Sequence, residues 1–455
     1  MSNSSENPTP RPRRSGGAHG LTSWRSAHRA RSHESAHAEE AQETGSPSSD
    51  PSDDGQLTNP LIPRGDPELI ADQKGLEALV DELRRAGSFA YDTEFIGELT
   101  YHPQLCLIQV ATTQRVTLLD PMVPGLQLGP LWDLLADESV QKIVHAGEQD
   151  VEPVARHFAG KRGVRGMIDT QIAAGFAGMA YPVALSKLVS ELIGVRLGKG
   201  LTFTHWDQRP LSAVQLRYAA DDVRYLPAAW DVLRVRLDEL GHAQWAKQEC
   251  DAMCEPSQFG FNPDTYYGRV RGAGNLSNNQ LAVLRELTIW RDAAARQANV
   301  PPRALVRDEV LVDMSRSPVK QVDKLARVRG LPRPVEAEHG RTMVEATLRA
   351  LAHPPAGLAA PRAPEPTPTE RFRADSLFAA ACVMCASRSI DPALAASRQE
   401  IGEFFRRAIA NESTDDLPLM KGWRREVLGQ PLLDLLRGAR AEQFRWQNDR
   451  LTSGS

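Results

Sequence analysis

The sequence contains no run of about 18 consecutive apolar residues, the length that a helix needs to span a bilayer. The beginning of the chain also lacks the apolar core of a secretory signal. These two absences argue against a membrane-spanning helix and against secretion. We therefore expect a soluble, cytoplasmic protein without a membrane partner.

A general excess of basic residues is absent as well. Lys and Arg number 54 against 58 Asp and Glu, which gives a formal net charge of −4. The chain is therefore not a uniformly basic nucleic-acid-binding protein, and any such surface must be a local patch.

Cysteine is scarce, at five in 455 residues. Cys250 and Cys254 have CxxxC spacing, and Cys382 and Cys385 have CxxC spacing, each pair within a segment of helical periodicity. No histidine closely accompanies either pair. Buried thiols are therefore favoured over a zinc site, which remains the weaker alternative.

Apolar residues are nearly missing from residues 1–58, which are rich in Ser, Pro, Gly, Arg and Glu. Such a segment cannot offset the entropy of ordering, so a disordered tail is predicted. Its arginines would also suit a transit peptide, but Glu6 and the early prolines argue against an amphipathic helix.

Short apolar runs separated by turns begin near residue 60 and predict strands. They are GSFAYDTEF, CLIQVATT, RVTLLDP, QKIVHAG and MIDTQ. Helical periodicity occurs between and after them, in LGPLWDLLAD, EQDVEPVARHFAG, LSKLVSELIG and the long stretch from Ser212 to Gly241. The order predicts a mixed sheet covered by helices, an α/β domain over residues 59–268.

After this domain the pattern becomes wholly helical. Amphipathic segments joined by Pro and Gly turns predict a small helical bundle over residues 272–353. A proline-rich linker over residues 354–371 and a second helical bundle over residues 372–451 are predicted to follow.

Two carboxylates lie close together in the first strand. Asp92 and Glu94 are two residues apart and so face one side of the strand, whereas Tyr91 and Thr93 face the other. A solvated edge strand would explain the pair equally simply, although the surrounding aromatic and apolar residues favour a central strand. The pair alone is a weak signal.

Two further acidic positions follow at helices. Asp150 begins a helix directly after the strand QKIVHAG, where a capping role worth about 1 kcal/mol is the simpler explanation. Tyr218 and Asp222 are four apart in LRYAADDVRYLP and share a helical face, while Asp221 lies about 100° away. An ordinary packing helix remains the alternative for this segment.

The order of these elements is more specific than any one of them. It resembles the tyrosine-containing branch of the DEDD exonuclease superfamily, and most of all the ribonuclease D family. The stretches YHPQLCLIQVATTQ, VHAGEQDVEPVARHFAG and LTFTHWDQRPLSAVQLRYAADDVRYLP carry the likeness over residues 88–230. Residues 276–351 resemble the HRDC domain of that family, and the last bundle resembles a divergent second copy. The implied fold is a ribonuclease H-like mixed-sheet exonuclease domain followed by two all-α HRDC-like bundles.

The resemblance also implies a catalytic site with two divalent ions, Mg²⁺ or Mn²⁺. Asp92 would bridge both ions, Glu94 and Asp222 would complete the first site, and Asp150 would serve the second. Tyr218 would orient the attacking water. Hard oxygen ligands suit these ions, and a pair of ions about 3.5–4 Å apart supports in-line displacement at phosphorus.

Four other residues are candidates for contact with RNA, each with a structural alternative. Phe95 could stack on the terminal base or lie in the core. Gln109 could contact substrate or bond to backbone. Trp206 and Arg209, in THWDQRPL, could shape an RNA channel or form a packed loop. His145 is interpreted as a structural histidine.

A local basic patch occurs in SRSPVKQVDKLARVRGLPR, which carries six basic residues against Asp323 alone. Lys320, Lys324 and Arg327 fall at i, i+4 and i+7, so a helix would place them on one face suited to phosphate backbones. An ordinary solvated helix face is the alternative.

The resemblance implies a 3′-5′ exoribonuclease that releases nucleoside 5′-monophosphates and trims structured RNA precursors, tRNA above all. A DNA exonuclease of the same superfamily and a non-catalytic RNA-binding scaffold are the alternatives. The acidic set argues against the scaffold, because clustered carboxylates oppose RNA binding. RNA is the expected partner, and no small-molecule cofactor is expected.

Overall fold

The computed structural model of the chain describes residues 59–198, 204–355, 358, 367–447 and 450–454. The predicted disordered tail, residues 1–58, lies outside this range, as does most of the predicted linker. Within the described residues, none of the helices combines the length and apolar character that a membrane crossing requires. The chain divides into two compact units. Gly97–Gln104 and the described part of Phe261–Ala363 form the smaller unit, and the other described residues form the larger one.

A six-stranded mixed sheet forms the centre of the larger unit. Along the chain its strands are β1 (Glu68–Ile70), β2 (Ser88–Ile96), β3 (Gln104–Ala111), β4 (Val116–Leu119), β5 (Gln141–Val144) and β6 (Met167–Asp169). In space they lie in the order β1-β4-β3-β2-β5-β6. β1 is parallel to β4, β4 is antiparallel to β3, and β5 is parallel to both β2 and β6. The predicted mixed sheet is confirmed, and only the short strand β1 is missing from the prediction.

Helices accompany this sheet. They are α1 (Gln73–Ala86), α2 (Gly129–Leu135), α3 (Glu152–His157), α4 (Thr170–Phe176), α5 (Leu185–Ile193), α6 (Ala213–Arg224), α7 (Leu226–Leu240) and α8 (Ala243–Met253). A capping box between Ser212 and Gln215 fixes the start of α6. The long predicted helix is divided at Tyr225, because Pro227 lies in the first turn of α7 and has no N–H to continue the ladder.

The alternation of side chains along β2 decides where its carboxylates lie. Tyr91 is buried in a hydrophobic core with side chains of α1 and α2. Ala90 is buried in a separate core with Ala220 of α6. Asp92 and Glu94 continue the alternation of Ala90 and therefore lie on the α6 side of the sheet.

The smaller unit is a helical bundle, as predicted. It contains α9 (Asn278–Ala298), α10 (Pro302–Leu305), α11 (Asp308–Arg316) and α12 (Arg333–Ala352). These helices enclose one hydrophobic core. A buried ion pair between Arg291 and Asp308, 2.8 Å from nitrogen to oxygen, ties α9 to α11.

The basic segment of this unit differs from its prediction. α11 ends before Pro318, and helical structure resumes only at Val322–Arg327, as a 3₁₀ helix. Lys320 precedes that helix, so the predicted α-helical face over Lys320, Lys324 and Arg327 is wrong. The proline explains the interruption, since it lacks an N–H and disfavours helical backbone at the preceding residue.

The C-terminal part of the chain belongs to the larger unit. It contains α13 (Pro368–Ser387), α14 (Pro392–Ala395), α15 (Arg398–Ile409), α16 (Gly422–Arg424), α17 (Gln430–Leu436) and a hairpin of β7 (Gln443–Gln447) and β8 (Arg450–Gly454). A capping box between Thr367 and Glu370 starts α13 ahead of the predicted position. The prediction of helix as far as Leu451 is wrong over the hairpin, where the aromatic residues Phe444 and Trp446 favour a strand.

These C-terminal helices share one hydrophobic core with α4, α7 and α8. Trp423 lies edge-on to Phe176 with ring centroids 4.7 Å apart, and its indole N–H donates to Glu249 at 2.6 Å. Arg424 donates to the same carboxylate. The sequence pattern did not indicate this shared core, and the bounds of a second bundle stay a prediction.

Candidate active site

Three carboxylates converge on the α6 side of the sheet. Oxygen atoms of Asp92, Glu94 and Asp222 all lie within 4.8 Å of one another. The first two are neighbours because the strand repeats every two residues, and α6 brings the third across the sheet. All three side chains are half-buried. The predicted i, i+2 and helical spacings thus bring these residues together.

Tyr218 lies one helical turn before Asp222, and its hydroxyl donates a hydrogen bond to that carboxylate. Burial and the surrounding carboxylates raise the pKa of Tyr218, so the phenol keeps its proton. The ring lies beside Trp206, with centroids 6.2 Å apart and planes tilted by 38°. The tyrosine is therefore held as a hydrogen-bond donor at the edge of the acidic cluster.

Asp150 lies in a 3₁₀ turn, Gln149–Val151, that follows β5 after a short loop, and it is only 6% exposed. Its carboxylate accepts a hydrogen bond from the Thr93 hydroxyl, and its backbone carbonyl accepts one from the Tyr91 hydroxyl at 3.4 Å. It makes no side-chain cap to the helix, so the capping alternative is not observed. Asp150 lies outside the group of three carboxylates but raises the pKa of Asp92 and Glu94 by repulsion.

Burial and mutual repulsion disfavour ionisation of all four acids. Burial, then Asp150, Asp222 and Glu94, hold the pKa of Asp92 well above its usual range. Burial and its acidic neighbours raise the pKa of Glu94 to about 8 and that of Asp222 to about 7, and burial raises that of Asp150 to about 6. No basic side chain of the described residues lowers any of these values.

The donor set therefore suits divalent cations. Several converging carboxylates without a basic partner present the hard oxygen ligands that Mg²⁺ and Mn²⁺ prefer. A cation would remove the repulsion that now raises the pKa values. The donor atoms and the charge of the acidic cluster therefore suit the predicted metal ions.

A residue that the sequence reasoning did not single out holds the loop before Asp150. The Asp169 carboxylate, at the end of β6, accepts hydrogen bonds from the backbone N–H groups of Ala146, Gly147 and Gln171, at 2.7–3.0 Å. In the sequence, Asp169 is indicated only by its place between a strand and a helix in MIDTQ. An aspartate at that place favours a helix-capping role.

His145 lies in the same loop. Its ring nitrogens lie 3.0 Å from the Thr170 hydroxyl and 2.9 Å from the Val183 carbonyl oxygen. Both nitrogens are thereby engaged within the fold, in keeping with a structural histidine.

Arg209 is fully engaged within the protein. Its guanidinium forms two hydrogen bonds with the Asp120 carboxylate, at 2.6 and 2.7 Å. It also donates to the backbone carbonyls of Cys106, Trp206 and Gln208, at 2.6–2.8 Å. These five bonds match the five N–H groups of an arginine. Arg209 thus fastens the packed loop that carries Trp206, the alternative to direct RNA contact.

The other predicted RNA-contacting residues lie in different surroundings. Trp206 is 5% exposed and Phe95 is half-buried. Gln109 is completely buried, and neither amide atom has a hydrogen-bond partner among the described residues. Lys320, Lys324 and Arg327 are exposed in the smaller unit. Their roles in binding stay predictions.

Comparisons with known proteins agree with this site. Residues 67–238 match a 3′-5′ exonuclease family, and residues 280–347 match the HRDC domain family. The chain is 36% identical over 380 residues to ribonuclease D of Gluconacetobacter diazotrophicus and 35% identical over 377 residues to that of Granulibacter bethesdensis. Each alignment covers 82% of this chain and 93% of the relative.

A solved structure is also similar to the chain. The crystal structure of Escherichia coli RNase D, described as an exoribonuclease involved in structured RNA processing, superposes with a TM-score of 0.71 at 29% identity. The match covers 83% of this chain and all of that protein. The likeness therefore extends over the exonuclease domain and the helical region that follows it.

Proposed function

This chain belongs to the ribonuclease D family and is a 3′-5′ exoribonuclease, and from that premise we propose that it trims structured RNA precursors by two-metal-ion hydrolysis. Its products would be nucleoside 5′-monophosphates. The observation that carries the proposal is the convergence of Asp92, Glu94 and Asp222 within 4.8 Å, with Tyr218 bonded to the last of them.

The four carboxylates would hold the cations. Asp92 would contribute to both cation sites, Glu94 and Asp222 to the first, and Asp150 to the second. When bound, Mg²⁺ or Mn²⁺ supplies the positive charge that lets the acids ionise together, activates water and offsets the charge of the phosphate. The Thr93 hydrogen bond would hold the Asp150 carboxylate in a fixed position beside β2.

Tyr218 would position the attacking water. Its raised pKa keeps the hydroxyl protonated at neutral pH, while its bond to Asp222 fixes the direction of the O–H. The phenol oxygen can then accept a hydrogen bond from water and orient its lone pair towards the terminal phosphodiester. This role needs position more than acidity.

The substrate class follows from the relatives. The similar Escherichia coli protein is described as involved in structured RNA processing. We propose precursors of tRNA among the substrates of this chain, as the family resemblance implies. The HRDC domain would hold the RNA near the catalytic domain, whose acidic cluster repels phosphate without its cations. A deoxyribonucleotide substrate is the competing possibility, since the described residues do not identify a 2′-hydroxyl partner.

The experiment compares full-length protein on RNA labelled at the 5′ or the 3′ end and on DNA of the same sequence, with Mg²⁺, Mn²⁺ or chelator. We expect mononucleotides from the 3′ end of RNA, dependent on the cation. Asp222→Asn should lower kcat by about 10²-fold or more, because it removes a charged ligand. Asp221→Asn is the matched control, since this neighbouring acid pairs with Arg224 and should retain most activity.

The outcomes separate the alternatives. Preferential digestion of DNA would show that DNA, and not RNA, is the substrate. Binding of RNA without hydrolysis under either cation would favour a scaffold. Activity that persists in chelator, or equal losses in Asp222→Asn and Asp221→Asn, would contradict the metal site.

A further inference from the structure

The segment that follows β2 packs within the helical bundle. β2 ends at Ile96, two residues after Glu94, and Gly97–Gln104 then leads into β3. By its contacts this segment, which we call the β2–β3 loop, belongs to the smaller unit. Tyr101, in the middle of the loop, packs against the hydrophobic core of that unit. The bundle therefore holds a segment that is covalently continuous with the strand of Asp92 and Glu94.

Polar contacts fix Tyr101 within the smaller unit. Its hydroxyl donates to the Asp292 carboxylate on α9, and its backbone N–H donates to the Asn299 side chain at 3.2 Å. Arg296 donates to the Tyr101 hydroxyl oxygen at 3.0 Å and to Asp292 at 3.2 Å. The guanidinium carbon of Arg296 also lies 4.9 Å from the centre of the Tyr101 ring. The ring, the hydroxyl and the backbone of Tyr101 are thus all engaged.

The bond between Tyr101 and Asp292 is partly shielded from water. Asp292 is only 9% exposed, and Tyr101 is half-buried. Burial, together with the hydrogen bond to Asp292, raises the pKa of Tyr101 to about 12, so the phenol remains the donor at neutral pH. Hydrogen bonds to a charged acceptor are stronger than those between neutral groups. We call Tyr101, Asp292 and Arg296 the loop anchor.

The loop anchor lies close along the chain to a strand end that needs support. Glu94 is the third residue from the end of β2, and Asp222 and Asp150 repel its carboxylate. The ends of an element open more readily than its centre. Only the four residues from 97 to 100 separate β2 from Tyr101. Fixing Tyr101 therefore restrains the end of β2 against fraying.

We propose that Tyr101 is a positioning residue for the reaction, through which the bundle holds Glu94 in the acidic cluster. Tyr101 acts on the end of β2 and not on the substrate. The HRDC domain, to which Asp292 and Arg296 belong, thus serves catalysis as well as RNA binding. This inference rests on the proposed cation site, because Glu94 is one of its ligands.

The test compares full-length wild-type protein with Tyr101→Phe, which removes the hydroxyl and keeps the ring. Isothermal titration calorimetry measures Mn²⁺ affinity without RNA, and single-turnover hydrolysis is followed on a short oligouridylate. We expect Mn²⁺ affinity to fall roughly threefold to tenfold and the rate roughly tenfold, because a displacement of about 1 Å can cost up to about 10²-fold in rate. RNA affinity in chelator and its salt slope should stay unchanged, since no phosphate contact is removed.

A second variant checks that the bond itself is responsible. Asp292→Asn should lower Mn²⁺ affinity and the rate in the same way. In the double variant Tyr101→Phe with Asp292→Asn, the loss should be smaller than the two single effects combined, because both changes break one hydrogen bond.

Tyr266→Phe is the matched control. Tyr266 packs against the same hydrophobic core of the smaller unit but lies outside the β2–β3 loop. Removal of its hydroxyl should leave Mn²⁺ affinity and the rate unchanged. Thermal unfolding of each variant checks that the fold is retained.

Two results would overturn the proposal. The first is wild-type Mn²⁺ affinity and rate in Tyr101→Phe with only a lower Tm, which would leave the loop anchor a structural contact. The second is a loss of RNA affinity or of salt slope at unchanged Mn²⁺ affinity, which would show that the loop binds RNA directly.

Failure of the proposed function gives a different pattern. A wild-type protein that binds Mn²⁺ but does not hydrolyse RNA would refute that function. The Mn²⁺ affinity of Tyr101→Phe would still decide whether the loop anchor positions the acidic cluster.

Discussion

At the level of single residues, Tyr218 offers a test of chemistry that leaves packing intact. Tyr218→Phe removes only the hydroxyl that donates to Asp222 and keeps the ring beside Trp206. We expect kcat to fall by about 10²-fold, the scale of removing a water-orienting group, with little change in KM or in cation affinity. Single-turnover hydrolysis at saturating Mg²⁺ measures this.

Trp206→Phe provides the comparison for Tyr218→Phe. It alters the neighbouring ring without touching a hydroxyl, so it should have a smaller effect on kcat. A wild-type rate in Tyr218→Phe would show that the hydrogen bond to Asp222 serves the fold rather than the reaction.

Arg209 allows positioning to be separated from phosphate binding. Because its five donors are engaged within the protein, Arg209→Gln should lower both thermal stability and kcat through displacement of the loop beside Tyr218. The slope of log K for RNA against log salt should stay unchanged. If Arg209 instead bound a phosphate directly, its replacement would reduce that slope by about 0.7.

The partner of Arg209 gives an internal check. Asp120→Asn should lower thermal stability and kcat to a similar extent. In the double variant Asp120→Asn with Arg209→Gln, the decrease in each quantity should be smaller than the sum of the two single effects. Additive losses would show that the two side chains act independently, which would remove the positioning role.

The residues that sequence could predict are those related by local spacing. Asp92 with Glu94, and Tyr218 with Asp222, follow from the periods of a strand and a helix. The roles of Asp169 and Asp120 depend on partners more than 20 residues away along the chain, and the spacing of neighbouring residues carries no information about such pairings. The buried, unpartnered amide of Gln109 is invisible to the sequence for the same reason.

At the level of elements, runs of apolar residues predict the strands well because burial on both faces leaves a continuous signal. The three-residue strand β1 is too short to show one. The predicted α-helix over the basic segment after α11 is wrong for a different reason. Pro318 lies just after the end of α11, and between it and Gly330 helical structure resumes only as the 3₁₀ helix Val322–Arg327.

Phosphate binding by the basic segment in its observed form stays a prediction. Lys324 and Arg327 are three apart and so lie on one side of a 3₁₀ helix, and both are exposed. Replacing Lys320, Lys324 and Arg327 by Gln should weaken binding of structured RNA and lower its salt slope by about 0.9 for each duplex phosphate that these side chains neutralise in the wild type. Trimming of a structured precursor should suffer more than hydrolysis of a short oligonucleotide.

Arg341→Gln serves as the control for this basic segment. Arg341 is highly exposed in the same unit but pairs with Glu345 on α12, so its replacement should not change the slope. An unaltered slope in the triple variant would assign the segment to the solvated surface, and equal losses on both substrates would indicate a structural defect.

At the level of the whole molecule, the sequence indicates which helices are amphipathic but not which surface each one covers. α13 to α17 could equally have enclosed a core of their own, and instead they bury apolar residues against α4, α7 and α8. The pairing of Arg424 with Glu249 reinforces this choice, yet the two lie 175 residues apart along the chain. A shared core of this kind requires three-dimensional information.

The acidic cluster should make the stability of the whole protein depend on pH and on cations together. Burial and repulsion raise the folded-state pKa of Glu94 to about 8 and of Asp222 to about 7, above the values of about 4 that unfolded chains have. Between the unfolded-state and folded-state pKa values the folded state binds more protons than the unfolded state. The free energy of unfolding of the metal-free protein therefore falls as pH rises from about 5 to about 8. Each kcal/mol of destabilisation should lower Tm by about 2–4 °C.

Added Mn²⁺ should raise Tm more at about pH 8 than at about pH 5, where protons compete for the same oxygens. Asp92→Asn, measured in parallel, should flatten the pH dependence and weaken the response to Mn²⁺, because it removes both a repelling charge and a ligand. A metal-free Tm that rises over this range in the wild type, relative to Asp92→Asn, would contradict the assignment of these carboxylates to a cation site.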